Sequence, residues 1–134
     1  DHSSIMKTKL YTILLDQQIG TSELEKADAP MGVVGGKIIF ADIDSGYDFF
    51  RTYCLNNGIT INNDLTDERY ISTAAIPKLK IINQNGIEIK GEGTVIEGFD
   101  GDTFEVTILG VPYPFFEEEF PHHVKAYSDR FKSD

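Results

Sequence analysis

Two turn sequences in the second half of the chain constrain its fold more than any other feature. Asn85-Gly86 and Asp100-Gly101 each lie between segments rich in apolar and β-branched residues, which is the pattern of a β-hairpin. They predict two successive hairpins, formed by residues 78–91 and 94–109. Hairpins of this kind need an antiparallel or mixed sheet to bury their apolar faces.

The first hairpin has two possible registers. A two-residue Asn85-Gly86 turn would pair Ile81 with Lys90 and would place charged residues on the apolar face. A three-residue loop over residues 84–86, with its glycine left-handed, pairs Ile81 with Ile89 instead. We prefer this second register because it keeps four apolar side chains on one side of the hairpin: Leu79, Ile81, Ile87 and Ile89.

The second hairpin pairs residues 94–99 with residues 103–109. Its alternating residues Phe104, Val106 and Ile108 are predicted to face the core, because side chains of a strand alternate between its two faces.

Helical patterns occupy two other parts of the chain. Asp44 or Ser45 can cap a helix that runs to about Asn57, and Gly58 stands where a left-handed C-terminal residue is favoured. Apolar residues at helical spacing predict its buried side: Tyr47, Phe50, Tyr53 and Cys54. Residues 114–131 are also predicted to be helical, with a kink or restart at Pro121. Their candidate buried stripe is Phe116, Phe120, Val124, Tyr127 and Phe131.

The remaining segments are less regular. Residues 8–15 are apolar on both alternating faces and predict a strand buried on both sides. Residues 31–41 predict a strand interrupted by Gly32, Gly35 and Gly36, where a bulge or the close approach of another backbone is expected. Residues 59–75 predict a long connection with one short strand at residues 70–72.

These elements predict an α+β fold, in which an antiparallel or mixed sheet is packed mainly on one face by two helices. We expect a single domain over residues 6–134, with residues 1–5 an addition ahead of Met6. The chain has no apolar run of the ~18 residues that span a bilayer. Its lone Cys54 fits a reducing compartment and a packed core position, so a cytoplasmic location is expected.

The charge distribution is the clearest functional signal. The chain has a formal net charge of −10, and the stretch between Gly91 and Val124 contains no Lys or Arg. A field of one sign attracts basic partners and repels nucleic acid and anionic membranes. The same charge could instead serve solubility alone. The stretch contains eight acids, which are the candidate partner-binding residues: Glu92, Glu97, Asp100, Asp102, Glu105, Glu117, Glu118 and Glu119.

The residues that could bind a metal or a cofactor are few. His122 and His123 follow three glutamates, but adjacent helical side chains point ~100° apart and cannot readily share one ion. A catalytic zinc site normally needs three protein ligands. Residues 32–36 lack the glycine spacing of a nucleotide-binding loop. The sequence therefore predicts no metal and no cofactor.

Three functional hypotheses follow. The first is an acidic protein-binding domain, a stoichiometric inhibitor of the immunity-protein or antitoxin type that neutralises a basic partner such as a nuclease toxin. The second is a small enzyme that uses His122, His123 and nearby carboxylates. The third is a structural or assembly subunit that uses its aromatic C-terminal segment. The positions of three groups in the fold should discriminate between these hypotheses. Acids clustered on one open surface favour the first, a cleft around the histidines favours the second, and an exposed patch of Phe115, Phe116 and Phe120 favours the third.

Overall fold

The structure, a computed structural model, describes residues 9–131. The proposed addition at residues 1–5 lies outside the described residues. The strands in chain order are β1 (Tyr11–Leu15), β2 (Gln17–Ser22), β3 (Lys26–Asp28), β4 (Val33–Lys37), β5 (Ile39–Phe40), β6 (Ile61–Leu65), β7 (Tyr70–Thr73), β8 (Lys80–Ile82), β9 (Gly93–Phe99) and β10 (Phe104–Leu109). The helices are α1 (Gly46–Asn57), α2 (Phe115–Glu119) and α3 (Pro121–Asp129), and a 3-10 turn covers Ala29–Met31.

Within residues 9–131, ten strands form two sheets in which every pairing is antiparallel. The smaller sheet has the order β5-β2-β1-β8, and the larger has the order β3-β4-β10-β9-β7-β6. Together with the three helices, they confirm the predicted α+β fold. Side chains from both sheets and the helices join in one buried apolar cluster. No helix among the described residues is long and apolar enough to cross a membrane.

Helix α1 forms where its capping residues predict it. Ser45 Oγ accepts a hydrogen bond from the Asp48 amide at 3.0 Å, and Gly58 ends the helix with a φ of +68°. A left-handed residue at this position is easiest for glycine, which has no Cβ. Tyr47, Phe50 and Cys54 are buried, as predicted, while Tyr53 is half-buried.

The first predicted hairpin has the three-residue loop, but it is less regular than expected. Ile89 donates its amide hydrogen bond to Ile81 O at 2.8 Å, which matches the preferred register, and Gly86 has a φ of +82°. Only β8 is a regular strand of the pair. Ile87 was predicted to face the core, yet it is 50% exposed; it directly follows the loop, at the end of the hairpin.

The second hairpin confirms its prediction more fully. Strand β10 pairs with β9 over its whole length, with Val106 opposite Ile96. Phe104, Val106 and Ile108 are all buried. The alternation of apolar and polar residues was therefore sufficient to assign the two faces of this hairpin.

Two of the less regular predictions need correction. Strand β1 buries Tyr11, Ile13 and Leu15, but the intervening residues are half-buried. It is therefore fully buried on one face, which an antiparallel sheet allows. Residues 61–65, predicted to be part of a connection, form strand β6. This strand lies at the edge of the larger sheet, where few of its side chains enter the core and no apolar alternation is required.

The glycines of β4 mark close backbone contacts, as predicted. A Cβ at Gly36 would lie 2.9 Å from Leu24 Cα, and one at Gly35 would lie 2.6 Å from Val106 O. Ordinary side chains at these positions would separate neighbouring segments. The strand itself begins only after the 3-10 turn, at Val33.

The C-terminal segment is helical and restarts at Pro121, as predicted. Phe116 and Phe120 are fully buried, whereas Phe131 is 68% exposed and does not belong to the buried stripe. Tyr127 and Phe131 pack edge to face. Helix α3 ends at Asp129, which places Phe131 beyond the helix.

Candidate functional site at the acidic end of the larger sheet

Three separate segments meet around the guanidinium of Arg69. Arg69 lies in the turn between β6 and β7, and its Nη2 is 2.7 Å from Asp48 Oδ2 in the first turn of α1. Its Nε is 2.9 Å from Asp100 Oδ2 in the turn between β9 and β10. These contacts hold two sheet turns against the start of a helix.

Asp100 is the carboxylate at the centre of this junction. Ser45 Oγ donates a hydrogen bond to Asp100 Oδ2 at 2.6 Å, and the Tyr47 amide donates to Oδ1 at 3.0 Å. Burial raises the pKa of Asp100, but the hydrogen bonds from Ser45, Tyr47 and Arg69 together outweigh it, so the pKa lies below its ordinary value of 3.8. Asp100 is thus ionised and held in place by the helix start.

The junction gathers negative charge from distant parts of the chain. Residues 41–48, 66–69 and 100–103 contain a single base, Arg69. We call this set of three segments the acidic end. It contains seven acids: Asp42, Asp44, Asp48, Asp67, Glu68, Asp100 and Asp102.

An exposed apolar row adjoins the acidic end. Leu65, Tyr70 and Phe99 lie side by side on β6, β7 and β9. Leu65 is 43% exposed and Phe99 is 36% exposed. The Tyr70 hydroxyl donates to the carboxylate of Glu97, and this hydrogen bond raises the pKa of Tyr70. The row gives the acidic end an apolar neighbour of the kind found in protein interfaces.

Two more of the predicted acids lie on the same solvent-facing side of the sheet. Glu97 on β9 is directly opposite Glu105 on β10, and Glu105 is opposite Lys37 on β4. Glu105 forms an ion pair with Lys26. The negative charge of Glu105 is therefore compensated within the chain, whereas Glu97 adds to the field near the apolar row.

The other predicted acids lie elsewhere. Glu92 is at the opposite end of β9 from Asp100, ~27 Å away at about 3.4 Å per residue of strand. Glu117, Glu118 and Glu119 are on α2. The structure thus brings Glu97, Asp100 and Asp102 to one end of the sheet and distributes the remaining acids over other surfaces.

Glu119 serves as a link between elements. Its carboxylate accepts hydrogen bonds from the Tyr11 hydroxyl at 2.9 Å and from Asn83 Nδ2 at 3.0 Å. Lys9 Nζ lies 3.7 Å from it. The adjoining cavity of about 70 Å³ is lined by Lys9, Tyr11, Asn83 and Glu119. This carboxylate joins β1 and the β8 loop to α2.

The two histidines are close to Glu119 but are engaged differently. His123 Nε2 lies 2.8 Å from Leu24 O. His122 packs against His123 with ring centroids 4.2 Å apart. The pKa of His122 is lowered, mainly by burial and further by the nearby charges of His123 and Lys9. Among residues 9–131, no group of three or more His, Cys, Asp and Glu side chains is arranged to hold a metal ion.

Cys54 and the aromatic residues of the tail are also inside the fold. Cys54 is buried, and burial raises the pKa of its thiol, which keeps the group protonated and unreactive. Phe116 and Phe120 are fully buried and Phe115 is half-buried. These three phenylalanines do not form the exposed patch that would favour an assembly role.

The sequence reasoning missed five acids of this site: Asp42, Asp44, Asp48, Asp67 and Glu68. They are separated from Asp100 by 30 residues or more along the chain, and only the fold brings them near it. The short turn at residues 66–69 offered a sequence clue to the site, because two acids directly precede a single arginine there. Comparison with known proteins finds no matching family model, no matching curated protein and no matching solved structure.

Proposed function

We propose that this protein binds a basic protein partner through the acidic end and the adjoining row of Leu65, Tyr70 and Phe99. The main support for this proposal is that acids from three segments border an exposed apolar row. An apolar centre supplies affinity by excluding water, and surrounding charges guide the approach of an oppositely charged partner. The partner should therefore present an apolar centre surrounded by Lys and Arg.

The face of the sheet is a better docking surface than its edges. Strand β3 has three residues and includes a lysine, and α3 lies against it. The other edge strand, β6, has a bulge at Asn62. Short, charged or bulged edges discourage the addition of a partner strand. A partner that meets this sheet would accordingly use side chains of the exposed face.

A stoichiometric inhibitor is the form of this activity that we favour. The acidic surface is built on a preformed junction, in which Asp100 and Arg69 are already hydrogen-bonded. Preorganised charge lowers the entropic cost of binding. An immunity protein or antitoxin would use such a surface to cover the basic substrate-binding face of a nuclease toxin.

The test compares two variants that each remove four negative charges. The acidic-end variant is D42N/D44N/D67N/E68Q, and its matched control carries D16N/E23Q/E25Q/E118Q at exposed positions on other surfaces. Wild type, variant and control are used as bait with lysate from cells that make the protein, and recovered proteins are identified by mass spectrometry.

We expect wild type and the control to recover one basic protein that the acidic-end variant does not recover. The purified pair should form a one-to-one complex by sedimentation, and its association should slow about tenfold or more at high salt. Equal loss in both variants would assign the effect to overall charge and would contradict the proposed site, as would a partner with no excess of Lys and Arg.

A further inference from the structure

A second exposed surface lies at the other end of β10 and consists of two hydrogen-bonded segments. Residues 29–33 and 109–114 meet where the Val111 amide donates to Gly32 O at 2.8 Å. The Tyr113 hydroxyl donates to Ala29 O at 2.7 Å. We call these two segments the shelf. Their mutual hydrogen bonds and the buried Val111 beneath them hold the shelf in one conformation.

The shelf exposes large apolar side chains. Met31 is 67% exposed, Tyr113 is 47% exposed and Leu109 is 40% exposed. Pro30, Pro112 and Pro114 are also exposed. The Tyr113 ring stacks on the buried Phe116 with centroids 5.3 Å apart. Tyr and Met are enriched in protein interfaces, and proline lowers the conformational entropy that binding removes.

Acids surround the shelf. Asp28 precedes the 3-10 turn, and the Glu92 amide donates to Leu109 O at 2.7 Å. Glu117 lies in the first turn of α2, which begins directly after residue 114 of the shelf. Burial and the charge of Glu117 both raise the pKa of Tyr113. Neither residues 27–36 nor residues 91–124 contain Lys or Arg. The nearby Lys26 is already paired with Glu105.

We propose that the shelf is a separate docking surface for a partner segment that presents an apolar side chain flanked by Lys or Arg. The exposed Met31, Tyr113 and Leu109 would receive the apolar side chain. The rim of Asp28, Glu92 and Glu117 would receive the cations. A second copy of this chain fits less well, because the chain carries a net charge of −10 and two such rims would repel each other.

The shelf is independent of the acidic end. The six residues of β10 separate them, a distance of ~20 Å at about 3.4 Å per residue. This exceeds the Debye length of about 8 Å at physiological salt. Substitutions at one surface should therefore leave binding at the other unchanged.

The probe is a library of random peptides displayed on phage and selected on the immobilised full chain. The most enriched peptide is then synthesised, and its affinity is measured by fluorescence anisotropy. The variants are Met31→Ser, which removes an apolar contact, and E92Q/E117Q, which neutralises the rim. Leu55→Ser is the matched control, because Leu55 is 60% exposed on α1 and far in sequence from both shelf segments.

The expected selection enriches peptides with an apolar residue between basic ones. Met31→Ser should weaken binding about tenfold or more, as for a central interface residue, and E92Q/E117Q should weaken it less at high salt than at low salt. Leu55→Ser and the acidic-end variant should bind as wild type does. The proposal would be overturned if selection enriched no peptide, or if the enriched peptides contained no Lys or Arg. It would also be overturned if the peptide bound Met31→Ser as tightly as it binds wild type. Sedimentation that shows self-association lost in Met31→Ser would overturn it too, because the occupant would then be a second copy.

Discussion

Arg69 and Asp100 are joined through both their side chains and their backbones. Arg69 Nε is 2.9 Å from Asp100 Oδ2, and the Asp100 amide donates to Arg69 O at 3.3 Å. The two residues are 31 positions apart, in turns that end neighbouring strand pairs. Their contact sets the position of the acidic end relative to the start of α1.

Replacing Asp100 by Asn should remove a specific part of the pH dependence of stability. The folded pKa of Asp100 lies below 3.8, so ionised Asp100 stabilises the folded state above its unfolded pKa. This contribution is lost as the pH falls through the lower folded value. Urea unfolding of wild type from neutral pH to about pH 2 should show the loss, and D100N should show less of it. D102N, which alters the next acid of the same turn, should keep the wild-type dependence; identical curves for all three proteins would contradict the assignment.

Neutralising Asp67 and Glu68 should slow association with the proposed basic partner while leaving folding intact. Both side chains are exposed and lie in the turn before Arg69. Removing like charges reduces self-repulsion, so the free energy of unfolding should stay within about 0.5 kcal/mol of wild type or rise. Stopped-flow mixing across a salt series measures the association rate, and urea unfolding measures the free energy of unfolding. Rates that do not depend on salt would assign these acids to solubility.

Phe50→Ala should destabilise the fold by about 3–5 kcal/mol, the cost of removing a large core aromatic. Phe50 is fully buried and packs against Phe40 and Phe104. Leu55→Ala on the exposed side of the same helix is the control and should cost less than about 1 kcal/mol. Denaturant unfolding measures both. Similar losses for the two variants would mean that the burial of α1 is assigned to the wrong side.

Cys54 should resist alkylation in the native protein. The thiol is buried in the apolar cluster and burial raises its pKa, so little thiolate forms at neutral pH. A thiol reagent should label it quickly only after denaturant is added, as followed by mass spectrometry. Rapid labelling of the native protein would contradict the burial of this thiol.

The protein should carry no tightly bound transition metal. His123 Nε2 already contacts Leu24 O, and the Glu119 carboxylate is engaged by Tyr11 and Asn83. Within the part of the chain that the structure describes, these contacts leave too few ligands for a zinc site of ordinary composition. Elemental analysis of protein purified without a histidine tag should find far less than one equivalent. One equivalent of zinc or iron would contradict this prediction.

The local elements of this fold followed from the sequence because their causes are local. The capping Ser45 and the terminal Gly58 delimit α1, and they act within one helical turn of the backbone groups that they satisfy. The register of β9 and β10 followed from alternation, since a shift of one residue would expose every apolar side chain. Strand β6 was missed because an edge strand buries few side chains and leaves no periodic pattern.

The functional surfaces depended on tertiary structure. Eight acids in a stretch without Lys or Arg suggested one recognition surface, but an extended strand places Glu92 and Asp100 at opposite ends of the sheet. The fold then joins Asp100 and Asp102 with Asp42, Asp44, Asp67 and Glu68, which come from other loops. The sequence by itself determined the sign and amount of charge, because these depend only on composition. Only the tertiary structure decided which charges share a surface, because that depends on which turns end at the same edge of the sheet.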